Sequence, residues 1–209
     1  MLDELIRYEQ IRKSKLTQMK TLGSGNMTSS DVINLCTQFD KLGIKLWIDG
    51  GWAVDALLET QTRPHKDLDI AIQWKDVPTL RKALGAEGYK QIKEDSKWNF
   101  VLADGRGHEI DVHAFVYDDQ GNVVDGIQYP PESLTGSGTI DGHSVRCISA
   151  QHMVGFLAPW ISKWPEKYLP DVSALCEKFG IPLPKVFTDC TNQMAGSCEI
   201  RRSERLDRT

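Results

Sequence analysis

The chain has 209 residues, a hydrophobic fraction of 40% and a formal net charge of −4. This length fits one domain, or one domain with a small helical addition. The net negative charge argues against binding a nucleic-acid backbone, because proteins that do so usually carry a basic patch. No apolar run approaches the ~20 residues that a membrane helix needs. We therefore expect neither nucleic acid nor a membrane as a partner.

The N-terminal residues and the cysteines indicate the compartment. The first residues alternate charge with Leu and Ile and lack the continuous apolar core of a signal peptide. The five cysteines are scattered and include no CxxC pair, which disfavours a disulfide framework or a zinc site. We expect a reduced, cytoplasmic protein.

The N-terminal half alternates helical and strand patterns. Residues 2–20 predict a helix, which the glycines of 21–26 interrupt. A helix is next expected from an N-cap at Ser29 or Ser30 to about residue 42. Further patterns predict strands at 46–48, 67–74 and 89–93, and helices at 52–58 and 76–87, the last capped by Asp76.

The C-terminal half predicts a hairpin followed by two helices. Strands at 98–104 and 108–118 are separated by a tight glycine-rich turn. A short strand is expected at 145–149, then helices at 149–160 and 165–179, the second ended by Gly180. The predicted division is a helical extension (1–28), an α/β core (29–148), a helical part (149–184) and a polar, poorly ordered tail (185–209).

Acidic residues recur on two of the predicted strands. Successive side chains of a strand point to opposite faces, so Asp67 and Asp69 share one face. Glu109, Asp111 and His113 likewise share one face of their strand. If these strands are neighbours, three carboxylates come close and repel each other. A divalent cation removes the repulsion, and all-oxygen ligands suit Mg²⁺, two ions of which can serve phosphoryl-group transfer.

A glycine pair gives these carboxylates their context. An Asp-x-Asp pair alone is common as surface polarity, and a Gly-Gly pair alone is more often a simple turn. Here Gly50-Gly51 follows a buried strand and opens a helix, where backbone N–H groups and the helix dipole can hold phosphate. Glycine also lacks the Cβ that would keep phosphates away. The combination predicts a nucleotide site.

Three segments carry a resemblance to a known superfamily. The sequences LWIDGGWAVDALL, TRPHKDLDIAI and HEIDVHAF resemble the DNA polymerase beta-type nucleotidyltransferases. More narrowly, they are similar to the antibiotic nucleotidyltransferases that adenylylate lincosamides, and to the aminoglycoside 2″-adenylyltransferases. The likeness covers roughly residues 29–184. It implies an α/β fold with a mixed sheet and a small C-terminal helical part.

The resemblance implies a role for each motif residue. Gly50 and Gly51 would contact the triphosphate of ATP, the co-substrate. Asp67 and Asp69 would hold two magnesium ions. Asp111 would bind the catalytic ion and lie beside the acceptor hydroxyl, either as a general base or as a metal ligand alone.

The loop before the acidic strand is basic. Arg63, His65 and Lys66 could offset negative charge on the triphosphate or pyrophosphate, although a solvated loop explains them equally well. Four neighbours of the glycine pair are assigned structural roles, with core packing for Trp47 and Trp52 and a surface helix start for Asp49 and Asp55.

The acceptor wall is predicted from the hairpin. Trp98, Asn99 and Phe100 place aromatic rings beside an amide, which suits a sugar-bearing acceptor, although aromatic edge strands are common without a ligand. His113 is assigned to Asp111 or to the acceptor, with a structural role as the alternative. Further aromatic candidates for the wall or for the helical core are Tyr129, Trp160, Trp164 and Tyr168.

These expectations combine into a magnesium-dependent nucleotidyltransferase. AMP would pass from ATP to a hydroxyl of a lincosamide antibiotic, with release of pyrophosphate. An aminoglycoside acceptor is the alternative, because a polycation needs extra carboxylates, and Asp104, Asp118, Asp119, Asp125, Glu132 and Asp141 could supply them. A non-catalytic nucleotide-binding or antitoxin-like protein is a further alternative, against which three repelling carboxylates argue. We expect a monomer or a homodimer.

Overall fold

The fold is given by a computed structural model, which describes residues 25–187. The predicted helix at 2–20 and nearly all of the predicted tail at 185–209 lie outside the described residues. The helices are α1 (Ser29–Lys41), α2 (Gly50–Leu58), α3 (Val77–Ala86), α4 (Ala150–Leu157) and α5 (Pro165–Phe179). The strands are β1 (Leu46–Ile48), β2 (Asp67–Gln73), β3 (Lys90–Ser96), β4 (Asn99–Ala103), β5 (Glu109–Tyr117), β6 (Val123–Gly126), β7 (Gly136–Ile140) and β8 (His143–Cys147).

These eight strands form one mixed sheet. Seven of them follow the order β3-β4-β5-β2-β1-β8-β7, and β6 pairs with the C-terminal half of β5. β2 runs parallel to β5, and Asp69 lies opposite Asp111 in their register. β1 is antiparallel to β2 and parallel to β8. The expected α/β fold with a mixed sheet is confirmed.

One face of the sheet forms the hydrophobic core. Leu68 and Ile70 alternate with the acidic residues of β2 and are fully buried, as strand periodicity predicts. Phe100 of β4 lies on the same face, because it pairs with Val112, which in turn lies opposite Ile70. The guanidinium of Arg81 stands 3.9 Å from the Phe100 ring centroid. Helix α3 therefore covers this face.

The opposite face is acidic where β2 begins and aromatic farther along. Asp69 lies at the acidic end, and Phe115 of β5 lies at the aromatic end. Ring centroids separate Phe115 from Trp47 by 6.1 Å and from Tyr129 by 5.7 Å. Phe156 of α4 packs 5.8 Å from Tyr129. The aromatic end is thus closed by α4, while the acidic end stays open.

Strands β6 and β7 lie outside the predicted set. β7 is rich in glycine and lacks an apolar alternation. A Cβ on Gly138 would lie 2.2 Å from the carbonyl oxygen of Ala56, so the backbone of β7 packs directly on α2. Close approach of two backbones, rather than a side-chain pattern, places this strand.

The two predicted helix caps have different outcomes. Asp76 is the N-cap of α3, as predicted, although its side chain makes no capping hydrogen bond. The N-cap of α1 is Thr28, not Ser29 or Ser30. The Thr28 hydroxyl accepts from the Asp31 amide at 3.2 Å, and the Asp31 carboxylate accepts from the Thr28 amide at 2.9 Å. This reciprocal capping box begins the helix earlier than the serine pair implied.

The C-terminal helices α4 and α5 pack on each other and on α2. Helix α5 ends at Gly180, which has a left-handed φ of 65°, as predicted. The proposed division of the chain after residue 148 stays a prediction. None of the described helices is both long enough and apolar enough to span a membrane.

The capping box of α1 predicts a measurable asymmetry. Thr28→Ala should cost about 1 kcal/mol of stability, because it removes one side of the reciprocal cap. Ser30→Ala is the matched control, since Ser30 is exposed and should change stability little. Urea unfolding of both variants measures the difference. A larger loss in Ser30→Ala would contradict the assignment.

Candidate active site

A cleft of about 210 Å³ opens at the acidic end of the sheet, between the start of α2 and the C-terminal helices. The sheet and the α2 side contribute acidic, glycine and basic residues, and the helical side contributes mainly aromatic and apolar ones. Its lining consists of Asp49, Gly50, Gly51, Arg63, His65, Asp67, Asp69, His113, Phe156, Leu157, Trp160, Lys167, Tyr168 and Asp171.

The glycine pair forms the floor of this cleft. Asp49 is the N-cap of α2, and its Oδ1 accepts from the Gly50 amide at 2.7 Å. Gly50 has a left-handed φ of 59°, and a Cβ there would lie 1.9 Å from Asp69 Oδ2. A Cβ on Gly51 would lie 2.3 Å from His65 Nδ1. Glycine is therefore required at both positions, so that the acidic strand and the basic loop can approach the turn.

The register of β2 and β5 pairs two carboxylates. Asp69 lies directly opposite Asp111, and with His113 they form a group whose ligand atoms all lie within 4.8 Å of one another. Burial, together with the charge of Asp67, raises the pKa of Asp69 to about 7. Like charge held in a poorly solvated place makes ionisation costly. Asp69 and His113 line the cleft, and Asp111 lies next to them outside its lining.

His113 is the positive charge nearest to these carboxylates. Its Nε2 lies 3.5 Å from Asp111 Oδ1, and its Nδ1 lies 3.5 Å from Asp49 Oδ2. Burial alone would lower the pKa of His113, but Asp111 and Asp49 raise it to about 10. The imidazole is therefore an imidazolium that links the two aspartates. Contact with Asp111 is one of the alternatives that the sequence predicts for His113.

Asp49 and Tyr129 complete this cluster. The Tyr129 hydroxyl donates to Asp49 Oδ2 and lies 3.0 Å from His113 Nδ1. Burial would raise the pKa of Asp49, but the hydrogen bonds from His113 and Tyr129 outweigh it and leave the pKa below its ordinary value. Asp49 does begin a helix, as predicted, but it is 8% exposed rather than a surface residue.

The donor set fits a divalent cation. Asp111 Oδ1 is buried and accepts no hydrogen bond, since its contact with His113 Nε2 at 3.5 Å lacks hydrogen-bond geometry, and Asp111 faces Asp69 across adjacent strands. A buried carboxylate oxygen without a hydrogen bond, beside a second carboxylate of raised pKa, is the chemistry that a hard cation such as Mg²⁺ neutralises. Asp67 lies on the same face and lines the cleft. The role of these three as ligands stays a prediction, with Asp69 and Asp111 supported by their proximity.

The basic loop residues separate into two groups. Arg63 and His65 line the cleft, but His65 is 3% exposed and both its ring nitrogens have partners, Arg63 at 2.9 Å and Asp55 at 2.6 Å. Lys66 is not part of the lining, and its Nζ lies 2.9 Å from Glu109 Oε1. Of these three residues, Arg63 is the one that lines the cleft and keeps unused N–H donors.

The predicted acceptor wall is divided between the two faces of the sheet. Phe100 is fully buried in the core. Trp98 lies on the same side, with its ring centroid 4.6 Å from that of Trp74. Neither reaches the cleft, because alternate residues of a strand face opposite ways. Asn99 pairs with His113 on the site face, and its buried Oδ1 has no hydrogen-bond partner.

Several cleft residues come from the C-terminal helices. Trp160 and Tyr168, both named as candidates, line the cleft, and Trp164 does not. Lys167 and Asp171 were not predicted as site residues, although their spacing of four places them on one helix face. Asp55, expected at a surface helix start, is 2% exposed and bonded to His65. No local sequence signal indicates these positions, since each depends on contact between segments that are distant in the sequence.

The site joins a glycine turn that opens a helix to facing aspartates on adjacent parallel strands, an arrangement typical of nucleotidyltransferases of the polymerase beta-like fold. Comparison with known proteins gives the family. Residues 31–159, more than half of the chain, match the family model described as aminoglycoside-2″-adenylyltransferase. The chain belongs to this family of antibiotic nucleotidyltransferases.

Similar curated proteins include both antibiotic classes. A lincosamide resistance protein of Staphylococcus haemolyticus is 26% identical over 101 residues, which cover 48% of this chain and 63% of that protein. A 2″-aminoglycoside nucleotidyltransferase of Escherichia coli is 26% identical over 151 residues, covering 68% of this chain and 81% of that protein. The match thus spans less than two thirds of the staphylococcal protein.

Solved structures share the fold. A lincomycin-bound lincosamide antibiotic adenylyltransferase superposes with a TM-score of 0.64 at 21% identity, covering 72% of this chain and 98% of that one. The antibiotic-resistance factor ANT(2″)-Ia superposes with a TM-score of 0.63 at 20% identity, covering 86% and 97%. These likenesses establish the fold.

The contact between Gly50 and Asp69 predicts a selective loss of stability. Gly50→Ala combines a left-handed backbone, which costs roughly 1–2 kcal/mol, with a collision at Asp69. Gly142→Ala is the matched control, because Gly142 has a φ of 78° but nothing within 4 Å of the added Cβ. In urea unfolding, Gly50→Ala should lose about 1–3 kcal/mol more than the control. Equal losses would show that Asp69 yields freely.

The pKa of Asp69 predicts a pH-dependent gain on its removal. With a folded pKa of about 7 against an ordinary value of 3.8, the native state binds more protons between those values, so stability falls as pH rises through that window. Asp69→Asn does not titrate and should melt at a higher temperature than wild type in chelator, with an advantage that grows from about pH 5 to pH 8. The exposed Asp119→Asn should show no such trend.

Proposed function

We propose that the protein transfers AMP from ATP to a hydroxyl of a lincosamide antibiotic, in a magnesium-dependent reaction that releases pyrophosphate. The observation that carries this proposal is the pairing of Asp69 with Asp111 across parallel strands, beside the Gly50-Gly51 turn. Carboxylates and phosphate-binding backbone within one cleft are what nucleotidyl transfer requires. Free thiols at Cys36, Cys147 and Cys176 accord with the reducing cytoplasm, where ATP is available.

The turn and the loop would receive the nucleotide. The first turn of α2 lines the cleft at Gly50 and Gly51 and would offer phosphate the positive end of its dipole and its backbone N–H groups, apart from that of Gly50, which donates to Asp49. Arg63 stands against this turn, since its terminal nitrogen is 3.0 Å from the position of a Gly51 Cβ. Arg63 is therefore the loop cation placed to offset charge on the triphosphate or on the leaving pyrophosphate.

Asp67, Asp69 and Asp111 would hold the two Mg²⁺ ions. When bound, the ions supply charge neutralisation and lower the pKa of a coordinated hydroxyl. Asp111 lies opposite Asp69, which lines the cleft, and it would orient the acceptor hydroxyl or take its proton. His113 holds Asp111 in place through its contact at 3.5 Å. The acceptor oxygen then attacks the α-phosphorus in line with the departing pyrophosphate.

The cleft lining favours a lincosamide over an aminoglycoside. None of the six carboxylates named above for a polycation pocket lies in the described lining of the cleft. Asp104 and Asp118 accept hydrogen bonds within their own turns, and Asp141 accepts one from Ser29. The aspartates that do line the cleft have the metal-binding and positioning contacts described above, and the helical side contributes Phe156, Leu157, Trp160 and Tyr168. An apolar and aromatic wall suits an acceptor with one amine and an alkyl chain better than a polycation.

A non-catalytic nucleotide-binding role remains the alternative of a different class. The facing carboxylates of Asp69 and Asp111 argue against it, because a protein that only binds nucleotide has no need to assemble carboxylates that repel each other.

An acceptor panel tests the proposed reaction. Purified protein with Mg²⁺ and labelled ATP should transfer AMP to lincomycin and clindamycin and release pyrophosphate, and chelation should stop both. Aminoglycosides should accept AMP poorly. Transfer to aminoglycosides alone would replace the acceptor, and absence of transfer to every member of both classes would reject the antibiotic reaction.

Variants of the paired aspartates test the site within that assay. Asp69→Asn and Asp111→Asn should each lower the transfer rate by at least about a hundredfold, because each removes a charge that acts on the transition state. Glu109→Gln is the matched control on β5, since Glu109 pairs with Lys66 outside the cleft. It should stay within a few fold of wild type. An Asp69 variant that kept a tenth of the rate would place the metal site elsewhere.

A further inference from the structure

We propose that Asp171 of the C-terminal helix α5 and the buried Asp55–His65 pair are positioning residues that aim the Arg63 guanidinium at the nucleotide's polyphosphate. This inference rests on the proposed function, because the anion that Arg63 meets is the triphosphate of the co-substrate. The four side chains come from three separate segments: α2, the loop before β2, and α5.

The hydrogen bonds in this chain of residues have one possible direction. Arg63 can only donate, so the His65 Nδ1 that lies 2.9 Å from its Nη1 must accept. The imidazole is then neutral and carries its proton on Nε2, which donates to Asp55 Oδ2 at 2.6 Å. At the other end, Arg63 Nη2 donates to Asp171 Oδ2 at 3.2 Å. The guanidinium is held from both sides.

The two carboxylates at the ends of this hydrogen-bonded series, Asp55 and Asp171, are buried. Asp55 is 2% exposed and Asp171 is 3% exposed, so neither carboxylate can rely on water. Asp55 Oδ1 also accepts from the amide and the hydroxyl of Thr62, which ties the loop to α2. Burial raises the pKa of Asp171, and Arg63 opposes that rise. Each buried carboxylate therefore has a specific partner that accounts for it.

The guanidinium keeps donors for a ligand. Its side chain is 30% exposed and lines the cleft, so the terminal N–H groups that are not used within the protein can meet a ligand. Two of its five N–H groups are used by His65 and Asp171, and the fork geometry suits phosphate oxygens. A long side chain without such supports would lose rotamer freedom on binding. The two buried anchors remove that cost in advance.

Helix α5 thereby gains a function. It lies beyond residues 31–159, the part of the chain that matches the family model, and its lining residues Lys167 and Asp171 are one helical turn apart. Through Asp171 the C-terminal helical part sets the direction of a cation that stands against the glycine turn. Its contribution is thus to nucleotide affinity as well as to covering the cleft.

Calorimetric titration with inorganic triphosphate, ATP and adenosine, each with Mg²⁺, tests this role. Asp171→Asn should bind ATP and inorganic triphosphate roughly tenfold more weakly and adenosine unchanged, and should raise KM for ATP more than it lowers kcat. Asp171→Glu should recover part of the loss. Arg63→Ala combined with Asp171→Asn should bind no more weakly than Arg63→Ala alone, because both remove the same interaction.

Glu177→Gln is the matched control, since Glu177 is exposed on the same helix. If circular dichroism shows that Asp171→Asn is unfolded, Asp55→Asn tests the same hydrogen-bonded series from its other end. Triphosphate binding by both Asp variants as tight as wild type, additive losses with Arg63→Ala, or no triphosphate binding by wild type would overturn the inference. If the expected affinities appear but no antibiotic accepts AMP, the proposed acceptor fails and the positioning role stands.

Discussion

The structure depends on one unfavourable interaction, the placement of two carboxylates side by side in a sheet. Parallel pairing of β2 with β5 sets Asp69 opposite Asp111, and a carboxylate pair at this spacing repels itself. The core on the other face enforces the pairing, because Leu68 and Ile70 are fully buried there and a slip of one residue would expose them. Burial of apolar side chains thus holds the charges together.

Neighbouring side chains of the site offset part of that repulsion. His113 lies between Asp111 and Asp49 as an imidazolium, and the Tyr129 hydroxyl supports Asp49 from the aromatic end of the sheet. Asp69 receives less support, and its pKa is raised to about 7. The negative charges of Asp49 and Asp111 are therefore offset by His113, whereas that of Asp69 is offset less fully. Asp69 lies against the glycine turn, where a cation and a triphosphate would bind.

The C-terminal helices turn an acidic sheet edge into a cleft. They supply the aromatic and apolar lining through Phe156, Trp160 and Tyr168, and Asp171 anchors Arg63 opposite the aspartates. Negative and positive charge therefore meet the same space from two directions. A nucleotide bound there would place its phosphates between them, which relates affinity for ATP to the packing of α5.

Much of the site followed from the sequence by itself. Strand alternation put Asp67 with Asp69 on one face, and the glycine pair marked the end of β1, because both signals are local. The sequence left open which strands are neighbours and which face each aromatic residue joins. Only the tertiary structure sent Phe100 into the core, paired His65 with Asp55, and brought Asp171 to Arg63. These outcomes depend on sheet register and helix packing between distant segments, which periodicity along the chain does not encode.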